Sequence, residues 1–492
     1  MKLTILLLFF TFPILAQEAS VEWITNDDDF PKVGFDYGRF QLEMFSIEEQ
    51  RIASVISNAK KMDYYYEIGP DGQFNNSEDY ELDAKYTLYQ KYHYITTKSG
   101  SFRIASIRNI RKNTWTFYAS QFKSGKFSEP QRVGFYQAPE SNEFYPMGLW
   151  KKEDIWTNLA IQVAISTDST KVAFGCLLEH SRRKIKDKYA VFVFNENMTL
   201  VNEIVHDIAV SWRDLAPERL FISNKGNAYF LATHQKKVEG RPHTYQLWSM
   251  TAAEMLVTDI TIGKEIVPAN GAIVFSDKTE AISLVGLYQG DRHIEGVYSA
   301  KISKDGTLSE VKTAPLNEEL LAKMDDSKDA MPIKGNKQYI RESFQLPNGD
   351  IQFITEYFVQ TSYNGYPYYD YGNILVITLS LNGTLVDEHL IRRNNIPFPA
   401  AKKSYLALNK ENITYLLYES KEKYEFVAIN PYKEDSPKQV LFTARDKGIK
   451  ANWLCFEGRF LKENQILFGG TISNRGQTWS KVKFGYINLS QN

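Results

Sequence analysis

The chain has 492 residues, with 58 Lys and Arg against 59 Asp and Glu, and a formal net charge of -1. Without excess positive charge there is no field to attract a polyanion, so nucleic acid is excluded as an expected partner. Two cysteines cannot build a disulfide scaffold, and 43% hydrophobic with 24% charged residues is typical of a folded protein. These values exclude several classes of protein but point to no activity.

The first 16 residues have the layout of an export signal. Lys2 precedes an apolar run from Leu3 to Leu15, and the small residue Ala16 is followed by polar Gln17. This order predicts a secretory signal peptide cleaved between Ala16 and Gln17, since the run is shorter than the roughly 20 residues of a membrane span. We therefore expect an exported protein, periplasmic or extracellular, soluble after cleavage and without a transmembrane segment in the mature chain.

From about Tyr37 onward, a phrase of four short strands joined by turns recurs. Its first turn falls near positions 48, 100, 168, 225, 278, 348, 411 and 463, a spacing of about 59 residues. Second turns such as Lys304–Thr307 and Leu381–Thr384 carry the Asp-Gly or Asn-Gly pair that tight hairpins favour. Repeated four-stranded antiparallel units predict an all-β fold, a β-propeller with eight blades, with seven blades plus an irregular N-terminal piece as the alternative.

The two ends of the chain complement each other. The last unit has no fourth strand, whereas Ser20–Ile24 forms an unassigned strand before the first unit. A ring closed by the N-terminal strand removes an exposed sheet edge, so we expect one domain over residues 17–492.

Cys176 and Cys455 fall in units that are not neighbours, which predicts two buried thiols instead of a disulfide. Leu316–Met324 predicts a short helix between the fifth and sixth units.

Motifs for catalysis or metal binding are weak or missing from the sequence. No two histidines have a zinc-ligand spacing, and there is no Gly-x-Ser-x-Gly motif, so we predict no metal, no cofactor and no assignable catalytic residue. Two segments partly match sialidases: "FRIA" at Phe102–Ala105, with Ala in place of Pro, and "NRGQTW" at Asn474–Trp479, with Asn in place of the Asp-box Asp. Glycoside hydrolysis requires two carboxylates at a defined separation, which the sequence alone does not identify.

The stretch "SYNGYPYYDYGN" (Ser362–Asn373) is rich in tyrosine and is predicted to connect the second and third strands of the sixth unit. Tyrosine combines a large apolar ring with a polar tip at low entropic cost, which suits binding. The alternative is that these rings pack on each other or on a neighbouring blade. The candidate binding residues are Tyr363, Tyr366, Tyr368, Tyr369, Asp370 and Tyr371.

A second candidate site lies in the first turn of the third unit. Asp168-Ser169-Thr170 matches the short acceptor pattern of bacterial O-glycosylation. This pattern predicts Ser169 as an O-glycosylation site.

The strand phrases "YGNILVITLSLNGTLVDEHLIRR" (Tyr371–Arg393) and "SYLALNKENITYLLYES" (Ser404–Ser420) resemble those of uncharacterised, exported β-propeller-like proteins of Gram-negative bacteria. The resemblance implies the fold and export and transfers no active residue. Our leading hypothesis is an exported, non-catalytic propeller that binds a protein or carbohydrate partner through one face. The alternatives are a glycan-active, sialidase-like or other carbohydrate-processing enzyme, and a structural component of a cell-envelope assembly. The sequence gives no indication of the oligomeric state.

Overall fold

The protein was analysed as a computed structural model. The structure describes residues 19–24, 32–34, 41–48, 51–57, 62–68, 74–81, 89–109, 114–123, 126–137, 161–179, 188–207, 215–234, 244–251, 254–262, 267–276, 279–289, 294–325, 338–363, 366–393, 396–398, 404–420, 423–433, 438–443, 451–453, 457–474 and 479–490.

These residues form eight antiparallel sheets, which we call blades. Two strands, β1 (Ala19–Trp23) and β2 (Lys32–Gly34), precede the first blade. Blades 1 to 3 each consist of consecutive strands: β3 (Gln41–Glu48), β4 (Arg51–Ser57), β5 (Met62–Ile68) and β6 (Phe74–Glu81) in blade 1; β7 (Tyr89–Thr97), β8 (Gly100–Asn109), β9 (Thr114–Lys123), β10 (Lys126–Phe127) and β11 (Gln131–Gln137) in blade 2; β12 (Ile161–Ile165), β13 (Lys171–Glu179), β14 (Lys188–Asn195) and β15 (Leu200–Asp207) in blade 3.

Blades 4 to 7 continue the pattern, and a short helix follows blade 5. Their elements are β16 (Leu215–Ile222), β17 (Ala228–His234), β18 (Thr244–Met250) and β19 (Met255–Thr261) in blade 4; β20 (Val267–Ser276), β21 (Ala281–Gln289), β22 (Ile294–Ile302) and β23 (Lys312–Pro315) in blade 5; α1 (Glu318–Asp325); β24 (Gln338–Gln345), β25 (Ile351–Tyr363), β26 (Tyr366–Leu379), β27 (Leu385–Ile391) and β28 (Ile396–Phe398) in blade 6; β29 (Tyr405–Lys410), β30 (Ile413–Ser420), β31 (Lys423–Ile429) and β32 (Gln439–Thr443) in blade 7.

Blade 8 joins the two ends of the described chain. It contains β33 (Ala451–Trp453), β34 (Glu457–Lys462), β35 (Gln465–Asn474) and β36 (Trp479–Leu489), together with β1 and β2. Both N-terminal strands pair with β36; in β1 the register aligns Val21 with Ile487 and Trp23 with Gly485. The ring is therefore closed by the N-terminal strand, as predicted.

Each blade contacts the next, and blade 8 contacts blade 1. The contacts between blades are concentrated in the first strands, such as β12 with β16, β20 with β24 and β34 with β3, so the first strands lie at the centre of the ring. Buried apolar clusters fill the spaces between consecutive blades from blade 2 to blade 8. Between blades 8 and 1, Arg459 Nε donates to the carbonyl oxygen of the buried Met44 at 3.3 Å.

The predicted all-β propeller is confirmed. Seven blades are built from consecutive strands, and this number matches the alternative prediction of seven blades. The eighth sheet combines strands from the two ends of the described chain. The predicted helix is present as α1, and Asn317 caps it by accepting a hydrogen bond from the Glu319 amide at 2.8 Å. Glu388 in blade 6 accepts from the Asn317 amide at 2.9 Å, which attaches the start of the helix to the blade.

Several short turns share one hydrogen-bond pattern. In the turn that starts at Ser223, the Ser223 amide donates to the Asn227 carbonyl and the Gly226 amide donates back to the Ser223 carbonyl. The fourth residue has a positive φ, as three-residue hairpin loops require, and is usually glycine. Turns of this pattern start at Asn195, Ser223, Ser303, Leu346 and Ser380, and a variant one residue longer starts at Ser166.

We call the side of the ring that carries these turns the turn face, and the opposite side the open face. Neighbouring turns are hydrogen-bonded to each other across blades. The Lys98 amide donates to the Ser169 carbonyl at 2.9 Å, and the Asp168 amide donates to Asn224 Oδ1 at 3.1 Å. Ser249 Oγ donates to the Lys304 carbonyl at 2.8 Å. On the turn face, these hydrogen bonds hold adjacent blades together.

Other predictions from the sequence concern residues that the structure describes only in part. Cys176 is a fully buried thiol in β13, whereas Cys455 lies outside the described residues. The signal peptide and its cleavage site at Ala16 and Gln17 also lie outside them. In the part of the chain that is described, no helix has the length and apolar character to cross a membrane.

Ring closure depends on Trp23, whose indole contacts the rings of Phe442 in blade 7 and Phe468 in blade 8 edge-on, at 5.2 and 5.4 Å. We expect Trp23→Ala to lower the free energy of unfolding by about 2–3 kcal/mol, because this partly buried ring fills the seam between β1 and the last two blades. Urea denaturation followed by circular dichroism measures the change. Glu22→Ala, at the exposed neighbouring position, is the control, and equal effects of the two changes would contradict the assigned seam.

A second prediction concerns Glu411, which is exposed and has φ of 56° in the turn between β29 and β30. Glu411→Gly should raise the free energy of unfolding by about 0.5–1 kcal/mol, since only glycine adopts this backbone region without strain. Glu463 occupies the equivalent turn between β34 and β35 without a positive φ. Glu463→Gly should therefore destabilise slightly in the same denaturation assay, and a gain in stability there would argue against the strain explanation.

Candidate functional site

Within the described residues, blade 6 carries the longest paired strands, and these extend on the open face. Its second and third strands, β25 and β26, have 13 and 14 residues, whereas the corresponding strands of blade 5 have nine each. The register continues from Phe358 opposite Tyr371 to Tyr363 opposite Tyr366. Strand β28 pairs with β26, with Pro397 opposite Asp370, so the extension is three-stranded. We call residues 358–371 the hairpin extension.

The tyrosine-rich stretch, predicted as a loop that joins the second and third strands of the unit, continues these two strands as a pair. Alternating tyrosines are good strand formers, and the pair Asn364-Gly365 between them is the signal for a two-residue hairpin turn. This signal was present in the sequence and could have identified the hairpin. The structure places the backbones of Tyr363, Tyr366, Tyr368, Tyr369 and Asp370 in the extension.

The side chain of Tyr371, one of the predicted binding residues, is fully buried. Its ring lies 5.3 Å from that of Phe358, at the base of the extension. The prediction that it belongs to a binding surface is therefore wrong for Tyr371. For this residue the alternative, packing within the blade, is what the structure shows.

A buried ionic cluster lies beneath the hairpin extension, between blades 6 and 7. Glu356 in β25 has no exposed surface, and its Oε1 accepts hydrogen bonds from Arg393 Nη2 at 2.8 Å and from the Ser404 amide and hydroxyl. A buried carboxylate is stable only when it is paired and hydrogen-bonded. The carboxylate of Glu356 is therefore fixed in place by Arg393, which follows β27, and by Ser404, which precedes β29.

Arg393 is the central connector of this cluster. Its Nε donates to the Gly372 carbonyl at 2.7 Å, its Nη1 to Ser404 Oγ at 2.7 Å, and its backbone amide to Asn373 Oδ1 at 3.0 Å. Gly372 and Asn373 follow the hairpin extension directly, and Ser404 precedes β29. Arg393 thereby fixes the base of the extension relative to blade 7.

Arg341, in β24, is the second cation near Glu356, with its Nε 3.4 Å from Oε2. Its guanidinium lies over the ring of Phe358 at 4.6 Å and near that of Tyr339 at 5.7 Å. Aromatic rings attract a guanidinium through their negative faces. The aromatic rings of Phe358 and Tyr339 therefore help to position Arg341, in addition to the charge of Glu356.

Tyr405, the first residue of β29, is enclosed by the same cluster. Burial raises the pKa of its hydroxyl well above the ordinary value, and the charges of Glu342 and Glu356 raise it further. Burial likewise raises the pKa of Tyr418, with the charge of Glu425 adding to the effect. Both phenols are therefore protonated at neutral pH.

Polar contacts continue from the cluster into the core of blades 6 and 7. Gln338 Nε2 donates to Thr355 Oγ1 at 2.6 Å, and Gln352 Nε2 donates to Thr378 Oγ1 at 3.0 Å. Thr414 in blade 7 donates to Gln352 Oε1, which connects the two blades. These buried groups lie many residues apart in the sequence, and no local motif identified them.

The remaining candidate segments have structural roles in the described residues. "FRIA" forms part of β8, where Arg103 is 5% exposed and its guanidinium lies 4.7 Å from the ring of Phe127. In "NRGQTW", Asn474 ends β35 and Trp479 begins β36. Ser169 lies on the turn face with φ of 58°, beside Asp168, whose Oδ1 accepts from the amide and hydroxyl of Thr170. Within the described residues, no group of three potential metal ligands comes together.

Comparisons with known proteins give no family. The chain matches no family model and none of the curated proteins. It is similar to the solved structures of the polysaccharide lyase Uly1 (12% identity, TM-score 0.40, covering 85% of this chain and 93% of that one) and of the WD40 domain of SCAP from fission yeast (9%, 0.41, 96% and 98%). The β-propeller domain of the Trilobed protease from Pyrococcus furiosus gives 10% identity and a TM-score of 0.39, over 84% of this chain and 100% of that one. Likeness at this level carries no conclusion about activity.

The cluster makes a strong prediction for stability. Arg393→Met should lower the free energy of unfolding by about 3–5 kcal/mol, because it removes four side-chain hydrogen bonds and leaves Glu356 buried without its main partner. Arg392→Met, the same change at the exposed neighbouring residue, is the matched control and should cost less than about 0.5 kcal/mol. Guanidinium denaturation measures both, and a loss below about 1 kcal/mol for Arg393→Met would contradict the role assigned to this residue.

Proposed function

We propose that this chain is an exported β-propeller, a single domain over residues 17–492, that binds a protein or carbohydrate partner through its open face without catalysing a reaction. The observation that carries the proposal is the hairpin extension of blade 6. It is a three-stranded projection on one face of a ring whose other face is occupied by short, bonded turns. Projecting segments on a rigid scaffold are where binding residues are most often found.

The support beneath the extension also favours binding. Arg393, Glu356 and Ser404 fix its base through buried hydrogen bonds, and Tyr371 anchors it in the core. A surface held in one conformation loses little entropy when it binds a partner. Tyr363, Tyr366, Tyr368, Tyr369 and Asp370 are the residues that we propose for contact.

A catalytic function receives less support from the same cluster. Glu356 lies beneath the hairpin extension, yet it is fully buried and already accepts hydrogen bonds from Arg393 and Ser404. A glycosidase needs two carboxylates that reach the substrate, one of them free to exchange a proton. Glu356 has the features of a structural anion instead.

Export and modification belong to the same proposal. Cleavage between Ala16 and Gln17 would release the mature chain, and its N-terminal strand would then be free to close the ring as β1 does in the structure. Ser169 on the turn face is the proposed acceptor of an O-linked glycan. A glycan there would leave the open face accessible to a partner.

The experiment compares three forms of the mature chain for binding to an immobilised cell-envelope fraction of the source organism by surface plasmon resonance. We expect saturable binding by the unchanged chain and at least about tenfold weaker binding by Tyr366→Ala/Tyr368→Ala, since two ring contacts are removed. Leu381→Ala, at an apolar residue 46% exposed on the turn face, is the control and should bind normally.

Treating the envelope fraction with protease or with periodate before the measurement separates a protein partner from a carbohydrate. Circular dichroism verifies that the double variant is folded. No saturable binding, or equal losses in the hairpin variant and the turn-face variant, would overturn the proposal.

A further inference from the structure

Tyr339 and Arg341 occupy a special position in the ring. They lie near the start of β24, the first strand of blade 6, and first strands line the centre of the ring. Strand β24 runs from the open face toward the turn at Leu346–Asp350. Both residues therefore lie at the central opening of the open face, below the hairpin extension.

A β-bulge places Arg341 there. Ile340 pairs with Thr355 and Glu342 pairs with Ile354, so Arg341 is an extra residue in β24 without an opposite residue. Blades 4 and 5 have bulges in their first strands as well, after Pro217 and after Pro268, but neither contains an arginine at the extra position. Bulges of this kind redirect a side chain and are common beside binding sites.

The guanidinium of Arg341 has unused donors. Its Nε and Nη2 are buried and make no hydrogen bond with the described residues, whereas one fifth (20%) of its side chain is exposed. Glu356 faces Arg341 with Oε2, which lies 3.4 Å from Nε, while its Oε1 is bonded to Arg393 and Ser404. An arginine held over Phe358 with part of its side chain exposed can bind oxygen atoms of a ligand through that exposed part.

Tyr339 supplies an apolar surface beside these donors. It is 39% exposed, and its ring contacts that of Phe358 edge-on at 5.5 Å, which fixes its orientation. A sugar unit has an apolar C–H face that packs on an aromatic ring and hydroxyl groups that accept hydrogen bonds. An exposed ring beside a few fixed polar groups is the usual composition of a small-ligand site.

We infer that Tyr339 and Arg341 form a subsite for one sugar unit of an oligosaccharide at the central opening of the ring. This inference rests on the proposed function and specifies its ligand class. A folded protein presents a broad surface, which fits the edge of the open face better than the innermost strand of the ring. A narrow, flexible oligosaccharide reaches the innermost strand without displacing a blade.

The test begins with an array of neutral and acidic oligosaccharides, followed by calorimetric titration of the mature chain with the best ligand. Tyr339→Ala should weaken binding by about tenfold or more, because the stacking surface is lost, while Tyr339→Phe keeps the ring and should remain within about threefold. Arg341→Gln should weaken binding by about fivefold to fiftyfold, as expected for a lost charged donor. The melting temperature of each variant verifies folding.

Two results would overturn the inference: binding of no oligosaccharide on the array, and an affinity within twofold of the unchanged chain for both Tyr339→Ala and Arg341→Gln. The variant Tyr366→Ala/Tyr368→Ala separates this inference from the proposed function. If it loses binding to the envelope fraction while Tyr339→Ala retains it, the open face binds a partner but the subsite is absent. Loss in Tyr339→Ala but not in the hairpin variant would assign binding to the central opening alone.

Discussion

The pairing of β1 with β36 is the constraint on which the ring depends. A circular array of sheets has a seam wherever its two ends meet, and here the seam is bonded by a strand from the start of the described chain. Apolar contacts strengthen it, since Val21 and Trp23 pack against the cluster shared by blades 7 and 8. Without β1, the edge of β36 from Gly485 to Leu489 would be unpaired, and only the contacts of blade 8 with its two neighbours would keep this end of the seam closed.

The two faces of the closed ring differ in structure. On the turn face, hydrogen bonds between neighbouring loops, such as Asp168 to Asn224, add connections that the apolar cores do not provide. On the open face, blade 6 carries an extended hairpin, a bulged first strand and a buried ionic cluster. A buried ion pair rarely adds much net stability, but it penalises any arrangement that separates its members. The Arg393 network is thus better understood as fixing geometry than as strengthening the fold.

Much of the architecture was predictable because it is local. Asp-Gly and Asn-Gly pairs mark turns at any point in a chain, so Lys304–Thr307 and Leu381–Thr384 were identified as hairpins, and the spare strand at Ser20–Ile24 suggested closure. The site was less predictable because its parts are distant in the sequence. Glu356, Arg393 and Ser404 meet only when blades 6 and 7 are packed together. Composition likewise identified the tyrosine cluster but not the burial of Tyr371, which depends on strand register.

The bonded turns also determine where the chain is vulnerable to proteolysis. A protease must draw an extended segment into its cleft, and a turn whose amides and carbonyls are already paired cannot supply one without opening its blade. The turns that begin at Ser223, Ser303 and Ser380 meet this description. At these turns the ring therefore resists cleavage for as long as the blades that carry them stay folded.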